Sequence, residues 1–291
     1  MKKIFWLPSF PKSGNTWMRA ILSCLFFTKD GNFDFNLLNY IINFDIPDKY
    51  KFVNSLSVDD FNKLHELTVI AKYWLEAQKR AEVGGDFAFF KTHSGNVTLN
   101  KHKYTDEKNV LGLIYVVRDP RDVVVSYAKY LDKSTEDIIQ TITNRNAVAY
   151  GGFHGKKLYP FLLSSWDVHY KSWKMLGVPK LVIKYESLLN DTRNTLNQIV
   201  DFFTQNYDFG FNNIEMKIEN IIETTDFKML QKIEKQKGFV EASQFHSEKK
   251  TAECFFRKGT EKQWKKELTK AQLKTIEGSF ESTMKELGYL I

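Results

Sequence analysis

The spacing of hydrophobic and polar positions changes several times along the chain. Ile4–Phe10 is a short apolar, β-prone run that stops at Pro11-Lys12-Ser13-Gly14. Asn15 and Thr16 then supply helix-start chemistry, and Trp17, Met18, Ile21, Leu22 and Leu25 recur at helical spacing. Strand, tight loop and helix therefore follow one another. Residues 29–60 read as loop-rich, with Gly31 and Pro47 as breakers, and 56–81 as one helix opened by Ser57 or Asp59 and ended by Gly84-Gly85. Phe87–Thr92 is a second strand. Val110–Val117 is nearly continuous in apolar residues, the pattern of a parallel strand buried on both faces, and a helix over 123–131 follows. Two helices, over 134–150 and 161–176, flank the glycine-rich stretch 151–155. Lys180–Lys184 is a further buried-type strand, 191–203 an amphipathic helix, and 271–287 the last helix. Strands alternating with helices predict an α/β fold: a single domain over 1–291 with a central parallel β-sheet flanked by helices.

Composition narrows this only in part. With 43% hydrophobic, 15% aromatic and 26% charged residues over 291 positions, the chain is globular, and disorder as the dominant state is excluded. No apolar run approaches the roughly 20 residues of a membrane span. The apolar start is cut by Pro8, Pro11 and Lys12, far short of a signal-peptide core, so the expectation is a cytoplasmic protein with no membrane partner. Cys24 and Cys254 form no CxxC and have no histidine at ligand spacing, which points away from a metal and toward a reducing compartment. The net charge of +7 is concentrated: residues 227–266 hold eleven Lys/Arg against five Asp/Glu. That excess suits either a solvated face or a surface meeting a polyanion.

Three motifs add chemistry. Ser9–Trp17 leaves a strand end and enters a helix, where unpaired N–H groups and the helix dipole favour an anion. There Gly14 permits close approach, Lys12 adds charge, and Ser13 and Thr16 add hydroxyls. The Walker spacing is absent, so this is a phosphate loop of another kind, in a phosphate-loop-containing, nucleotide-hydrolase-like α/β fold. In the second motif, Arg118 ends a buried strand at the carboxyl edge of the sheet, with Ser126 in the following helix. A guanidinium fork there suits a terminal phosphate, and a structural Arg118–Asp122 pair is the plain alternative. The third is Phe255-Phe256-Arg257-Lys258-Gly259-Thr260, inside the basic stretch.

Together, in this order, the three resemble the cytosolic-type sulfotransferases that use 3′-phosphoadenosine-5′-phosphosulfate (PAPS), over about residues 4–266. The resemblance implies that Lys12 stabilises the leaving oxygen while the amides of Ser13, Gly14, Asn15 and Thr16 cradle the 5′-phosphate. Trp17 would pack on the adenine, and Arg118, Ser126 and Arg257 would hold the 3′-phosphate, with Phe256, Lys258 and Gly259 in the same element. Lys91-Thr92-His93 is similar to the family's catalytic Lys-Thr-His, making His93 the general base and Lys91 a charge stabiliser. Tyr185 matches a tyrosine on the adenine side, and Thr225 and Phe227 match a Thr-x-Phe lining that pocket. His154 and His169 read as ordinary surface or core histidines. The implied reaction is sulfuryl transfer from PAPS to a hydroxyl, less readily an amine, of a small-molecule, glycan or peptide acceptor, releasing adenosine-3′,5′-bisphosphate, with no metal and no nucleic-acid partner. A phosphate-loop kinase and a basic nucleic-acid-binding protein are the alternatives. The chain departs from the family pattern at Asn15, where Thr or Ser is common, and at Lys262, where a second glycine is frequent. It also keeps only Lys265 and Thr269 of a dimerisation motif, leaving oligomeric state open. Loops over 33–52, 145–160 and 238–250, with Phe33, Phe35, Tyr40, Phe44 and Phe153, are the expected acceptor pocket, the last of them a candidate lid.

Overall fold

The computed structural model describes residues 3–81, 85–150, 158–239 and 255–290, and the backbone alone of two short strands, Gly152–Phe153 and Lys156–Lys157. Five parallel strands form the sheet: β1 (Ile4–Pro8), β2 (Ile42–Asn43), β3 (Ala88–Thr92), β4 (Val110–Val117) and β5 (Lys180–Lys184), in the spatial order β5-β4-β1-β3-β2. The two-residue period of a strand sorts its side chains between two cores. Ile4, Trp6, Phe90, Leu113, Tyr115 and Val117 join one hydrophobic cluster, while Phe5, Leu7, Phe89, Ile114 and Val116 join the other. Both faces are thus covered, as the unbroken apolar run at 110–117 requires.

On one side lie α1 (Asn15–Phe27), α6 (Thr192–Tyr207) and α7 (Ile214–Thr224); on the other lie α2 (Pro120–Leu131), α4 (Trp166–Lys174) and α9 (Lys270–Glu286). Three further helices, α3 (Thr135–Thr143), α5 (Tyr185–Asn190) and α8 (Phe227–Lys237), complete the elements used below. Capping chemistry sets several of these starts: Ser134 accepts from the Asp137 N–H, Asp191 from Asn194, and Thr269 makes a full capping box with Gln272.

Three expected helices are different in the structure. The stretch 56–81 is a series of short turns, Val53–Leu56, Val58–Asn62, Leu67–Ile70, Ala71–Tyr73 and Trp74–Lys79. Ser57 is extended and caps the second, and the Lys63 N–H turns back to the Asp60 carbonyl, so no ladder runs through. Helix 134–150 stops at Thr143, and 161–176 begins only at Trp166, because Val148–Ala149 and Phe161–Leu162 pair as antiparallel strands. β1 ends at Pro8, with Ser9 making one more bridge to Val116.

The fold positions the site simply. Residues immediately beyond the carboxyl ends of β1, β3, β4 and β5 are the phosphate loop, His93, Arg118 and Tyr185, so four strands deliver their chemistry to one edge, where open α/β sheets bind ligands.

Candidate active site

The loop after β1 is held in an uncommon shape. Lys12 takes φ 66° and Gly14 φ 100°, left-handed values that glycine tolerates and lysine adopts only when its surroundings impose it. Gly14 is the N-cap of α1 and offers no side chain to the first-turn N–H groups. A Cβ on Gly14 would stand 2.7 Å from the Tyr185 ring, so this glycine lets the tyrosine lie on the loop. Asn15 donates to the Leu7 carbonyl at 3.0 Å and to Ser9 Oγ at 3.1 Å; it braces the loop against its own strand and does not cap the helix. Ser13 Oγ, Asn15 Oδ1 and Trp17 Nε1 are buried and find no partner among the described residues. Polar atoms buried in that state are costly unless water or a ligand completes them.

Arg118 connects the motifs. Its Nη1 donates to the Lys12 carbonyl at 3.2 Å and its Nη2 to the Thr260 carbonyl at 3.0 Å, while the guanidinium lies 4.3 Å over the Tyr185 ring. Its Nε has no partner among the described residues. The pairing with Asp122 gives way to a division of labour. Asp122 accepts the Lys262 N–H at 2.6 Å and the Trp264 N–H at 3.1 Å, fixing the segment beyond Gly259. Burial raises the Asp122 carboxyl, and Arg118 is the main opposing charge. Lys262 stands at φ 59°, so it takes the backbone conformation for which a glycine is the usual choice.

The third motif rests on α8. Gly259, at φ 59°, leaves only 2.3 Å between a hypothetical Cβ and the Phe227 ring, and Phe227 meets Phe256 edge-on with centroids 5.9 Å apart. Phe255 and Tyr130 lie under the Lys12 ammonium, at 4.3 and 4.1 Å from their ring centroids. Arg257 is half-buried and reaches Gln263 Oε1 at 3.3 Å; Lys258 is exposed, 3.5 Å from Glu267 Oε1. Thr225 is buried and donates to the Ile221 carbonyl at 2.7 Å, ending α7 beside Phe227. Ser126 is half-buried on α2.

The family model of the sulfotransferase domain matches residues 2–288. The chain belongs to the sulfotransferase family. It is 23% identical over 278 residues to a 3-beta-hydroxysteroid sulfotransferase of Cavia porcellus, covering 95% of this chain and 82% of that one. It is 22% identical over 289 residues to a flavonol 3-sulfotransferase of Flaveria bidentis, covering 98% and 83%. Among solved structures it resembles retinol dehydratase in a complex with retinol and PAP (TM-score 0.60, 19% identity, 98% and 82% covered). A mouse sulfotransferase complexed with PAP gives TM-score 0.57 at 18% identity, with 98% and 85% covered. These likenesses place the chain in the phosphate-loop α/β fold, and family membership makes it a PAPS-dependent sulfotransferase.

On the opposite flank of this sulfotransferase's phosphate loop stands His93, half-buried, with Nδ1 2.7 Å from the Ser9 carbonyl oxygen. Only a protonated Nδ1 makes that contact favourable, so the basic lone pair is on Nε2. Behind it, His169 has Nε2 3.1 Å from the His93 carbonyl and Nδ1 2.7 Å from the Tyr115 hydroxyl. Nε2 therefore donates and Nδ1 accepts from the tyrosine. Burial lowers the His169 pKa to about 4, so it is neutral, a satisfied core histidine that supports the His93 backbone. His154 lies outside the described residues.

Two acids at this site were not singled out from the sequence. Asp45 is buried and accepts from Thr92 Oγ1 at 2.8 Å and from the Tyr104 hydroxyl at 3.1 Å. It also feels the charge of buried Lys91, and burial carries its pKa up to about 6. Glu234 on α8 accepts the N–H groups of Phe255 and Phe256. The first is a lone aspartate in a loop and carries no sequence signal. The second did have one: Phe227, Leu230 and Glu234 share a helical stripe, with Leu230 fully buried. Of the expected pocket aromatics, Phe44 is core, packed on Trp6 and Phe90, Phe33 is buried, and Tyr40 is exposed and stacked on Phe27. Only Phe35 sits beside the site, stacked on Phe239 and Phe256, while the Phe153 side chain and residues 240–254 lie outside the described residues. Among the described residues no group of three His, Cys, Asp or Glu side chains is placed to hold a metal ion, and no helix is long and apolar enough to cross a membrane.

Proposed function

We propose that this chain transfers the sulfuryl group of PAPS to the hydroxyl of a small organic acceptor in the cytoplasm, using His93 as base and Lys12 at the leaving oxygen. The observation that carries it is the double hydrogen bond of Arg118 to the Lys12 and Thr260 carbonyls, which draws three separate phosphate-type motifs around one edge of the sheet. The fit to a nucleotide bearing 5′ and 3′ anionic groups is supported by Ser13 Oγ and Arg118 Nε, which have no partner among the described residues. Backbone amides of Ser13 through Thr16 cradle the 5′-phosphate at the helix start. Arg118, Ser126 and Arg257 take the 3′-phosphate, and Trp17, Tyr185, Thr225 and Phe227 line the adenine.

In the reaction, His93 Nε2 takes the acceptor proton as the acceptor oxygen forms its bond to sulfur. The bond from sulfur to the bridging phosphate oxygen breaks, and Lys12, with Lys91 as a second charge, stabilises the negative charge arriving there. The products are a sulfate ester and adenosine-3′,5′-bisphosphate. The protein's part is in-line positioning and charge stabilisation, with the donor's mixed phosphate–sulfate anhydride supplying the driving force. Steroid and flavonol acceptors, named for the relatives, support a hydroxyl on a small molecule.

The test combines binding with turnover. Adenosine-3′,5′-bisphosphate should raise the melting temperature and Mg²⁺·ATP should do little. Labelled PAPS should then pass label to at least one member of a phenol, steroid and flavonol panel. Stabilisation by Mg²⁺·ATP with indifference to the bisphosphate would overturn the assignment.

A further inference from the structure

The cation proposed to meet the 3′-phosphate, Arg257, follows a segment held almost entirely by one helix face. Glu234 takes the Phe255 N–H at 2.6 Å with one carboxylate oxygen and the Phe256 N–H at 3.0 Å with the other. One turn earlier, Gln231 Nε2 donates to the Phe256 carbonyl at 2.5 Å and the Arg257 carbonyl at 2.8 Å. Four backbone groups of three consecutive residues are thus tied to two side chains three positions apart on α8. The same helix begins at Phe227, whose ring fills the space over Gly259. Glu234 is only 6% exposed, so its charge sits among these N–H groups and not in solvent. Charge-assisted hydrogen bonds of this kind are short and fix direction, and here they set the path of the backbone entering Arg257.

We propose that Glu234, assisted by Gln231, is a positioning residue that sets selectivity for a nucleotide carrying a 3′-phosphate. It does so by holding the Phe256–Arg257 peptide where the guanidinium can share that phosphate with Arg118. The proposal rests on Arg257 being a 3′-phosphate ligand. Glu234 touches no reacting atom. Its effect is on how well Arg257 is aimed; whatever it does through Phe255, which lies under Lys12, falls alike on nucleotides with and without the 3′-phosphate.

The experiment is calorimetric titration of the wild-type protein and of Glu234→Gln with adenosine-3′,5′-bisphosphate and with adenosine 5′-monophosphate, which lacks the 3′-phosphate. In Glu234→Gln one acceptor becomes an NH₂ donor facing a peptide N–H, so one tie is lost and replaced by a repulsion. Affinity for the bisphosphate should fall about tenfold, the loss expected for one charge-assisted hydrogen bond, and that for the monophosphate by less than about threefold. The ratio of the two affinities is what a general loss of structure would leave unmoved. If both fall together, or if the ratio is unchanged, the proposal is wrong. If Glu234→Gln fails to fold, Gln231→Met removes the two carbonyl ties while keeping the stem, and the same ratio must fall. A wild-type protein with no preference for the bisphosphate would fail the assignment of Arg257 itself, and the proposal with it.

Discussion

The two flanks of the sheet edge handle charge in opposite ways. On the β1–β4–β5 flank, cations are supported by carbonyls and ring faces: Arg118 on the Lys12 and Thr260 oxygens and the Tyr185 ring, and Lys12 over Tyr130 and Phe255. On the β1–β3 flank, behind the half-buried His93, Asp45 and His169 are sealed inside at 2% and 0% exposure, and each is hydrogen-bonded to neighbours on other elements. The contrast separates two tasks. An anion site needs cations whose geometry is fixed by groups that leave their charge intact. A proton-transfer site needs one base held in one tautomer by a packed, hydrogen-bonded surround.

The largest expected effect comes from breaking the second flank at its tip. His93→Ala removes the Nε2 lone pair and should lower kcat by about 10²- to 10⁴-fold, the usual worth of a general base. The anion flank is left whole, so bisphosphate affinity should change by less than about twofold by titration. Turnover within about threefold of wild type would remove His93 as the base; a parallel loss of binding would show that the two flanks are not separate.

Next in size is the pH response of the sealed groups. Asp45 has its pKa raised by burial from 3.8 to about 6, so its stability contribution is complete below pH 4 and is lost as pH rises through 6. His169 has its pKa lowered by burial from 6.5 to about 4, so its contribution is complete above pH 6.5 and is lost as pH falls through 4. Each shift corresponds to about 3 kcal/mol, with opposite sign, and between pH 4 and 6 they oppose each other. Asp45→Asn keeps an acceptor for Thr92 and deletes the falling limb. In urea unfolding, its stability relative to wild type should therefore rise by about 3 kcal/mol from pH 4 to pH 6.5. A difference that stays flat across that range would show that Asp45 is not sealed as described.

On the first flank, Arg118→Lys retains the charge but cannot donate to two carbonyls and still lie flat on Tyr185. Bisphosphate affinity should drop by about ten- to a hundredfold, with kcat at saturating donor changed much less. An unchanged affinity would mean that the charge alone suffices and that the bridge between the loops is incidental.

The flanks also differ in how much of them could be read from sequence. The phosphate loop, the Arg118 strand end and Arg257-Lys258-Gly259 are runs of consecutive residues, each placed by the strand or helix beside it, so sequence neighbourhood carries their geometry. The buried β4 and its neighbours were legible for the same reason, since an unbroken apolar octet has few other places to go. Asp45 and His169 act through partners at 92, 104, 115 and 93, and only the folded chain brings those together. Glu234 lies in a lysine-rich helix whose charge suggested a solvated face, although its i+4 spacing from buried Leu230 marks the inner side. Over 56–81 the helical propensity was real but the continuity was not: Leu64 is buried while Leu56 and Val58 face solvent, so no single stripe runs the length of the segment.

The smallest expected effect tests whether the anion flank is built from placed cations or from charge as such. Lys258 adjoins Arg257, yet it is exposed and 3.5 Å from Glu267 Oε1, while Glu267 also pairs with Lys129. An exposed pair of this kind is worth about 0–1 kcal/mol, and solvent screens its field at the nucleotide. Lys258→Ala should therefore weaken bisphosphate binding by no more than about threefold. Arg257→Ala, read in the same titration, should cost well over tenfold, because it removes a fork that can meet phosphate with two N–H groups. Equal losses in the two variants would mean that the +7 net charge acts as a diffuse field, and both should then disappear at high salt. A loss confined to Arg257 that survives high salt would locate the recognition in one guanidinium and the backbone that aims it.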